Sequence, residues 1–313
     1  MLRPPHGLAF RAGHAWEQAA LPLLARGSAL IFSPANLAPL AAGRRNVVLI
    51  HDVAALRRPE AYGRVYRSYQ RRLLPAIARR AGRVVTVSEF SRAEIAELLG
   101  VPPERIEVVP NGVDERFSPG AAPGPAAERF RLERPYVLTV GTASVRKNVG
   151  ALEEAARRLD ELGMELVAAG SERGYLHGER PPAGIRRLGY VDDPLLPGLY
   201  AGARALAMPS LHEGFGLPCL EAMASGVPVV AARRGALPEI CGDAALLVEP
   251  EPGELAGALV AAACDEDVRA RLGAAGLARA AEFSWDRAAE RADSVLDTAI
   301  EEARAEGGGQ RRP

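Results

Sequence analysis

The sequence predicts an α/β protein built as two doubly wound parallel-sheet domains. Three observations carry that expectation. First, the second half alternates short apolar runs with helical stretches. Strand candidates are 136–140, 165–169, 185–188, 205–208, 227–231 and 245–248, and helix candidates are 149–162, 193–202, 217–225, 235–241, 253–263 and 266–281. Apolar strands separated by helices read as a parallel sheet covered on both faces. Second, 313 residues is about twice the length of a typical domain. Third, residues 118–127 read SPGAAPGPAA, a proline and glycine content that suits a linker.

The first half is sparser. Strands are expected at 29–33, 47–50, 84–87 and 106–109, with helices at about 15–25, 61–81 and 91–99. Ser91 and Glu94 have capping-box spacing, and Gly100 suits a helix stop. Ser88, after strand 84–87, is a second capping candidate. A last helix, 285–304, follows Trp285. The organisation expected is a first α/β domain at 1–117, a linker at 118–128, a second, nucleotide-binding α/β domain at 129–284, the helix 285–304, and a disordered tail at 305–313.

Residues 209–230, PSLHEGFGLPCLEAMASGVPVV, carry the most chemistry. Glu213 and Glu221 stand eight positions apart around Gly214-Phe215-Gly216. The strand candidate 205–208 precedes them, and Pro218 sits where a helix begins. The first N–H groups of such a helix lack internal partners and face outward as anion donors. Gly214 and Gly216 admit a ligand close to the backbone. A carboxylate beside a phosphate site accepts well from sugar hydroxyls, so the segment suits a ligand that is half sugar and half phosphate.

Of 39 lysine and arginine residues, one is lysine, Lys147. It lies in the loop 141–148 after strand 136–140. That is the carboxyl end of a parallel strand, where open α/β sheets bind ligands. Lysine is a compact point charge and arginine a planar fork. Together Arg146 and Lys147 can balance two negative charges on a departing diphosphate.

These residues resemble the E-x7-E signature of the retaining glycosyltransferases of family 4, which have the GT-B fold. The same order holds for His51-Asp52, Val87-Ser88-Glu89-Phe90-Ser91-Arg92, Val109-Pro110-Asn111-Gly112-Val113-Asp114, Val140-Gly141 with Arg146-Lys147-Asn148, and Phe283-Ser284-Trp285. The resemblance runs from about residue 14 to 300. It implies two Rossmann-like domains facing across a cleft, with the helix 285–304 crossing back to the first. It implies transfer of a sugar from a nucleoside-diphosphate donor, GDP-mannose or UDP/ADP-glucose in type, to a saccharide or lipid-linked acceptor with retention of configuration.

By the same resemblance, Gly141, Arg146, Lys147, Glu213, Gly214, Phe215, Gly216, Leu217 and Glu221 bind the donor, with Glu213 on sugar hydroxyls and Glu221 on the ribose. His51, Asp52 and Asn111 lie on the acceptor side, and His51, Arg146, Lys147 and Glu213 carry the catalytic roles. Asp52 can fix the His51 tautomer or bind an acceptor hydroxyl. Relatives begin with a strand, a glycine-rich loop and a long helix before the region matching Trp16-Glu17-Gln18. None is expected here, so the first domain reads as shortened, with an uncovered sheet edge.

Composition narrows the classes. An apolar fraction of 48% with 25% charged residues suits a soluble globular protein, and no apolar run reaches the ~20 residues of a membrane span. Formal net charge is zero, and no nucleic-acid motif is present. Residues 57–83 hold nine arginines and one acid, Glu60. A basic helix 61–81 could lie on an anionic membrane surface, favour a phosphorylated acceptor, or be a solvated face. The expected location is cytoplasmic, with peripheral attachment to the inner membrane face as an option. Cys219, Cys241 and Cys264 lack metal spacing and read as reduced thiols. No cofactor is implied, and Asp192-Asp193 is not a D-x-D metal site. His6, His14, His177 and His212 have weaker claims than His51, and His212 is expected at the surface. Two rival functions stand: a non-catalytic nucleotide-sugar-binding subunit and a nucleotide-sugar epimerase of the same fold.

Overall fold

The computed structural model describes residues 13–142, 144–171, 176 and 183–308. His6 and His177 fall outside them. The chain forms two compact units: Met1–Leu56 with Arg67–Pro110 and Ala288–Pro313, and Arg57–Tyr66 with Asn111–Arg287.

The first unit holds a four-stranded parallel sheet of β1 (Ile31–Ser33), β2 (Asn46–Leu49), β3 (Arg83–Thr86) and β4 (Ile106–Val108), in that order. Strand alternation sends successive side chains to opposite faces. Val47, Val85 and Val109 face the helix Trp285–Gly308, meeting Ala288, Ala292, Val295, Leu296 and Ala299. Val48, Ile50 and Val84 face the other way, onto Leu74 and Ile77 of the helix Arg64–Arg80 and onto Ile95 and Leu99 of the helix Glu89–Leu99. Among the described residues β1 pairs only with β2, so its outer edge carries no strand.

The second unit holds six parallel strands: β5 (Tyr136–Val140), β6 (Glu165–Ala169), β7 (Ile185–Gly189), β8 (Ala205–Met208), β9 (Val229–Ala232) and β10 (Ala245–Val248). Their order is β10-β9-β8-β5-β6-β7. The chain winds one way from β5 through β7, then returns to the other side of β5 for β8. The crevice at the carboxyl ends of β5 and β8 is therefore a topological switch point, the usual ligand site of such sheets. β8 and β9 are buried along their whole length, as expected of strands covered on both faces.

Several expectations need correction. Residues 118–128 are not a linker, because the division between units falls at Pro110/Asn111 and a helix occupies Gly124–Phe130. The close approach there is made by a glycine of the facing helix, while Gly120 and Gly124 of the segment itself are exposed. A Cβ on Gly198 would stand 2.3 Å from the Ala122 carbonyl oxygen, so the missing side chain lets this segment lie against the helix Leu196–Ala201. The segment Arg57–Tyr66 belongs to the second unit, where Tyr62 bridges to Leu176. The basic helix is shorter than 61–81, spanning Arg64–Arg80.

The Ser91–Glu94 capping box does not form, since the helix starts at Glu89. Ser88 is its cap, with its hydroxyl accepting from the Ser91 N–H at 3.0 Å. Ser91 instead donates its hydroxyl to the His51 carbonyl at 3.0 Å. Gly100 ends that helix at φ +66°. The helix expected at 149–162 opens with 3-10 geometry at Val149–Leu152 and becomes α-helical at Glu153–Glu161. The last helix runs to Gly308, past the expected 304, and residues 309–313 lie outside the described set.

Candidate functional site

Three hydrogen bonds stitch the loop after β5 to the loop after β8. The Leu211 N–H donates to the Arg146 carbonyl at 2.9 Å. The Asn148 amide donates to the Pro209 carbonyl at 3.2 Å. The Arg146 guanidinium donates to the His212 carbonyl at 2.6 Å. Asn148 takes the left-handed conformation, φ +53°, that ends the tight turn Val145–Lys147.

This stitching delivers Arg146 and Lys147 to Glu213. Lys147 Nζ stands 2.7 Å from Glu213 Oε1 and Arg146 Nη1 3.3 Å from Oε2. Glu213 is buried at 7% exposure. Burial alone would raise its carboxyl pKa. The Lys147 and Arg146 charges, with hydrogen bonds from Lys147 and Ser210, outweigh burial and bring it down to about 2. So acidic a carboxyl is a poor general base near neutral pH, but a permanent anion and hydrogen-bond acceptor. One anion against two cations leaves the cluster with one net positive charge. Gly141 flanks it, with the Lys147 side chain lying across it.

A small crevice opens beside the cluster at the ends of β5, β6 and β8, lined by Gly141, Ser144, Lys147, Gly170, Met208 and Ser210. The Ser144 hydroxyl is buried there without a hydrogen-bond partner among the described residues.

The Glu213 backbone is clamped from behind by the turn after β9. The Ala236 N–H donates to the Glu213 carbonyl at 2.9 Å. Gly235, at φ +62°, approaches so closely that a Cβ would stand 2.5 Å from Glu213 O and 2.7 Å from Glu213 N. Gly235→Ala is therefore expected to lower stability by at least ~1–3 kcal/mol, from left-handed strain plus a backbone clash. A thermal melt unchanged from wild type would show that the clamp yields freely. The sequence reading missed Gly235, whose only signal was a turn after a strand.

The rest of the signature is partly structural. Phe215 is buried edge-on to Phe283, with centroids 6.0 Å apart. Gly214 is buried as well. Gly216, at φ +111°, leads into the helix Leu217–Ala224, with Leu217 half-buried at its head. His212, expected at the surface, is buried at 3% exposure because its carbonyl turns inward to Arg146. Cys219 and Cys241 are buried and Cys264 is exposed.

Glu221 stands apart from the cluster, with its own partners. Tyr200 donates its hydroxyl to Glu221 Oε2 at 2.6 Å. Burial raises the Glu221 carboxyl pKa. Tyr200 and Arg116 oppose the rise, while Asp193 and Asp114 add to it. Tyr200, fully buried, has its own pKa raised well above the ordinary tyrosine value by burial and by Glu221.

Asn111 precedes a backbone junction in which the Val113 N–H donates to the Phe283 carbonyl at 3.0 Å and Val113 pairs with Ser284. In the first unit the His51 N–H donates to Asn36 Oδ1 at 2.8 Å, and His51 Nε2 lies 3.2 Å from the Pro34 carbonyl. Asp52 accepts from the Ala54 N–H at 3.0 Å, capping the short helix Ala54–Arg57. The groups around the His51 ring thus include the Pro34 carbonyl, whereas the Asp52 carboxylate turns to the backbone.

Two family descriptions match the chain: "Glycosyltransferase Family 4" over residues 12–117 and "Glycosyl transferases group 1" over residues 134–265. The O-antigen chain mannosyltransferase B of Escherichia coli is 33% identical over 77% of this chain and 67% of its own length. The MMP alpha-(1->4)-mannosyltransferase of Mycolicibacterium hassiacum is 35% identical over 72% of this chain and 56% of its own. The chain spans about half to two thirds of the length of such relatives. Among solved structures, the sucrose-phosphate synthase of Thermosynechococcus elongatus superposes with a TM-score of 0.75 at 22% identity, covering 95% of this chain and 80% of that one. Anabaena HepE, in complex with UDP and glucose, gives a TM-score of 0.74 at 20% identity, covering 95% and 84%. At these identities the structural likeness speaks for the fold.

Proposed function

The chain belongs to the family 4, group 1 glycosyltransferases of GT-B fold, and from that premise we propose that it moves a hexosyl group from a nucleoside-diphosphate sugar to a saccharide or lipid-linked acceptor, with retention of configuration and without a metal ion. The observation that carries this reading is the Glu213–Lys147–Arg146 cluster at the switch point of the second sheet. Its net positive charge and the adjoining N-terminus of the helix Leu217–Ala224 suit a leaving diphosphate, the preorganised electrostatics that dominate such catalysis. Glu213, held as an anion, accepts from hydroxyls of the transferred sugar. Glu221 accepts from the ribose. His51 and Asn111 serve the acceptor side. Two cations and a helix terminus can do the charge work otherwise assigned to a divalent ion.

The proposal extends to an anionic surface and a cytoplasmic-face location. It draws on Arg64, Arg71, Arg72, Arg79 and Arg80, exposed along the helix Arg64–Arg80 beside Val65 at 86% exposure. Among the described residues no helix is long and apolar enough to cross a membrane.

The test is calorimetry of the purified protein against UDP, GDP, ADP and their sugar conjugates in EDTA, followed by NMR of the product anomer. One nucleotide is expected to bind clearly best, and turnover is expected to persist in the chelator. A strict divalent-ion requirement would sink the metal-free reading, and an inverted product the retaining one.

A further inference from the structure

We propose that Tyr200 is a positioning residue for the donor nucleotide, fixing one oxygen of Glu221 so that the other is presented to the ribose hydroxyls. The inference rests on the donor reading above and concerns how that site distinguishes a ribonucleotide from its deoxy analogue.

Glu221 is a half-buried carboxylate on the helix Leu217–Ala224. Oε2 accepts from the Tyr200 phenol at 2.6 Å, and Oε1 accepts no hydrogen bond among the described residues. Tyr200 is fully buried on the helix Leu196–Ala201, so its hydroxyl cannot swing away. The edge of Phe117 meets its ring, with centroids 5.5 Å apart and planes at 85°. The Arg116 guanidinium lies over Phe117 at 5.2 Å. Arg116 is tied in turn to Asp114 Oδ2 at 3.6 Å and to the Asp193 carbonyl at 3.4 Å. Two separate segments, Asp114–Phe117 and Leu196–Ala201, thus brace one carboxylate.

The charges that face Glu221 are Arg116, which favours its anion, and Asp193 and Asp114, which oppose it. Tyr200 adds the hydrogen bond that favours the anion. Because burial disposes this carboxyl to protonate, the phenol has a second effect: it keeps Glu221 ionised as pH falls. A ribose cis-diol offers two O–H donors, and a site built to receive them penalises a ligand that lacks one. A hydrogen bond to a charged group is worth roughly tenfold or more in affinity.

The experiment measures Kd by calorimetry for a ribonucleoside diphosphate and its 2′-deoxy counterpart, using UDP/dUDP and GDP/dGDP, from pH 5 to 8. The proteins are wild type, Tyr200→Phe, Arg116→Ala and Glu221→Gln. Wild type is expected to prefer the ribo form by about tenfold or more. Tyr200→Phe should shrink that preference severalfold and move the acidic loss of affinity to higher pH. Arg116→Ala, a change at a partly exposed side chain, should move the acidic loss the same way, so the inference does not hang on one variant's folding. If Tyr200→Phe weakens both nucleotides equally and leaves the pH midpoint in place, Tyr200 is only a core residue and the proposal falls. If wild type binds both forms equally and Glu221→Gln changes nothing, the ribose assignment of Glu221 fails and the proposal with it. If no nucleotide binds wild type, the donor reading itself fails first.

Discussion

Lys147→Ala is expected to lower kcat by roughly 10²–10³, the usual effect of removing one preorganised donor from developing charge. The chain offers no second lysine, and the ammonium already stands 2.7 Å from Glu213 Oε1. An ammonium has three N–H donors, so two directions remain for diphosphate oxygens once Glu213 takes one. Affinity for the nucleoside diphosphate should fall with kcat, because the negative charge that develops on the leaving group as the bond breaks is retained by the free diphosphate. A second consequence concerns Glu213. Without Lys147, its largest source of acid strengthening, the carboxyl pKa rises from about 2 toward the value burial prefers. Lys147→Arg should restore charge without full activity, because a planar fork cannot reproduce a point charge packed across Gly141. Steady-state and single-turnover rates check this. A loss of less than about threefold, roughly 0.7 kcal/mol of barrier, would place Lys147 away from the diphosphate.

The site was legible where topology decides proximity. Lys147 follows β5 and Glu213 follows β8, and hydrophobic patterning alone marks both as carboxyl ends of parallel strands. What patterning cannot give is strand order. β5 and β8 are neighbours, and this makes the two charged loops partners of each other as well as of a ligand. The burial of His212 escaped the sequence for the same reason: its carbonyl is consumed by a cation 66 residues away. Local signals failed where two of them competed. Ser88 and Ser91 both fit a cap, and the strand end at Thr86 hands the role to Ser88. Proline and glycine at 118–127 suit a linker and a helix start alike, and a helix occupies Gly124–Phe130. The space against Gly198 that decides between them is a tertiary fact. Tyr200 gave no sequence signal beyond being an aromatic residue on a short helix.

Glu213→Gln is expected to cost roughly 3–5 kcal/mol of stability near neutral pH, since it leaves two cations without their shared counter-charge. Arg146 and Lys147 have side chains only 16% and 12% exposed, so water cannot readily replace the carboxylate. The pH dependence separates charge from shape. The Glu213 pKa falls from 4.5 to about 2 on folding, worth about 3 kcal/mol. Because the folded value is depressed, that contribution is complete above about pH 4.5 and drains away as pH falls toward 2. Urea melts should therefore show a wild-type advantage that is constant from pH 7 to 5 and narrows below about 4.5. Glutamine keeps the backbone clamped by Gly235 and Ala236, so a gap that persisted unchanged in acid would assign the loss to packing. A nucleoside diphosphate supplies the missing anion. It should stabilise the variant by more than it stabilises wild type at equal concentration, through preferential binding to the folded state. Equal stabilisation of both proteins would mean that the diphosphate and Glu213 do not share the same two cations.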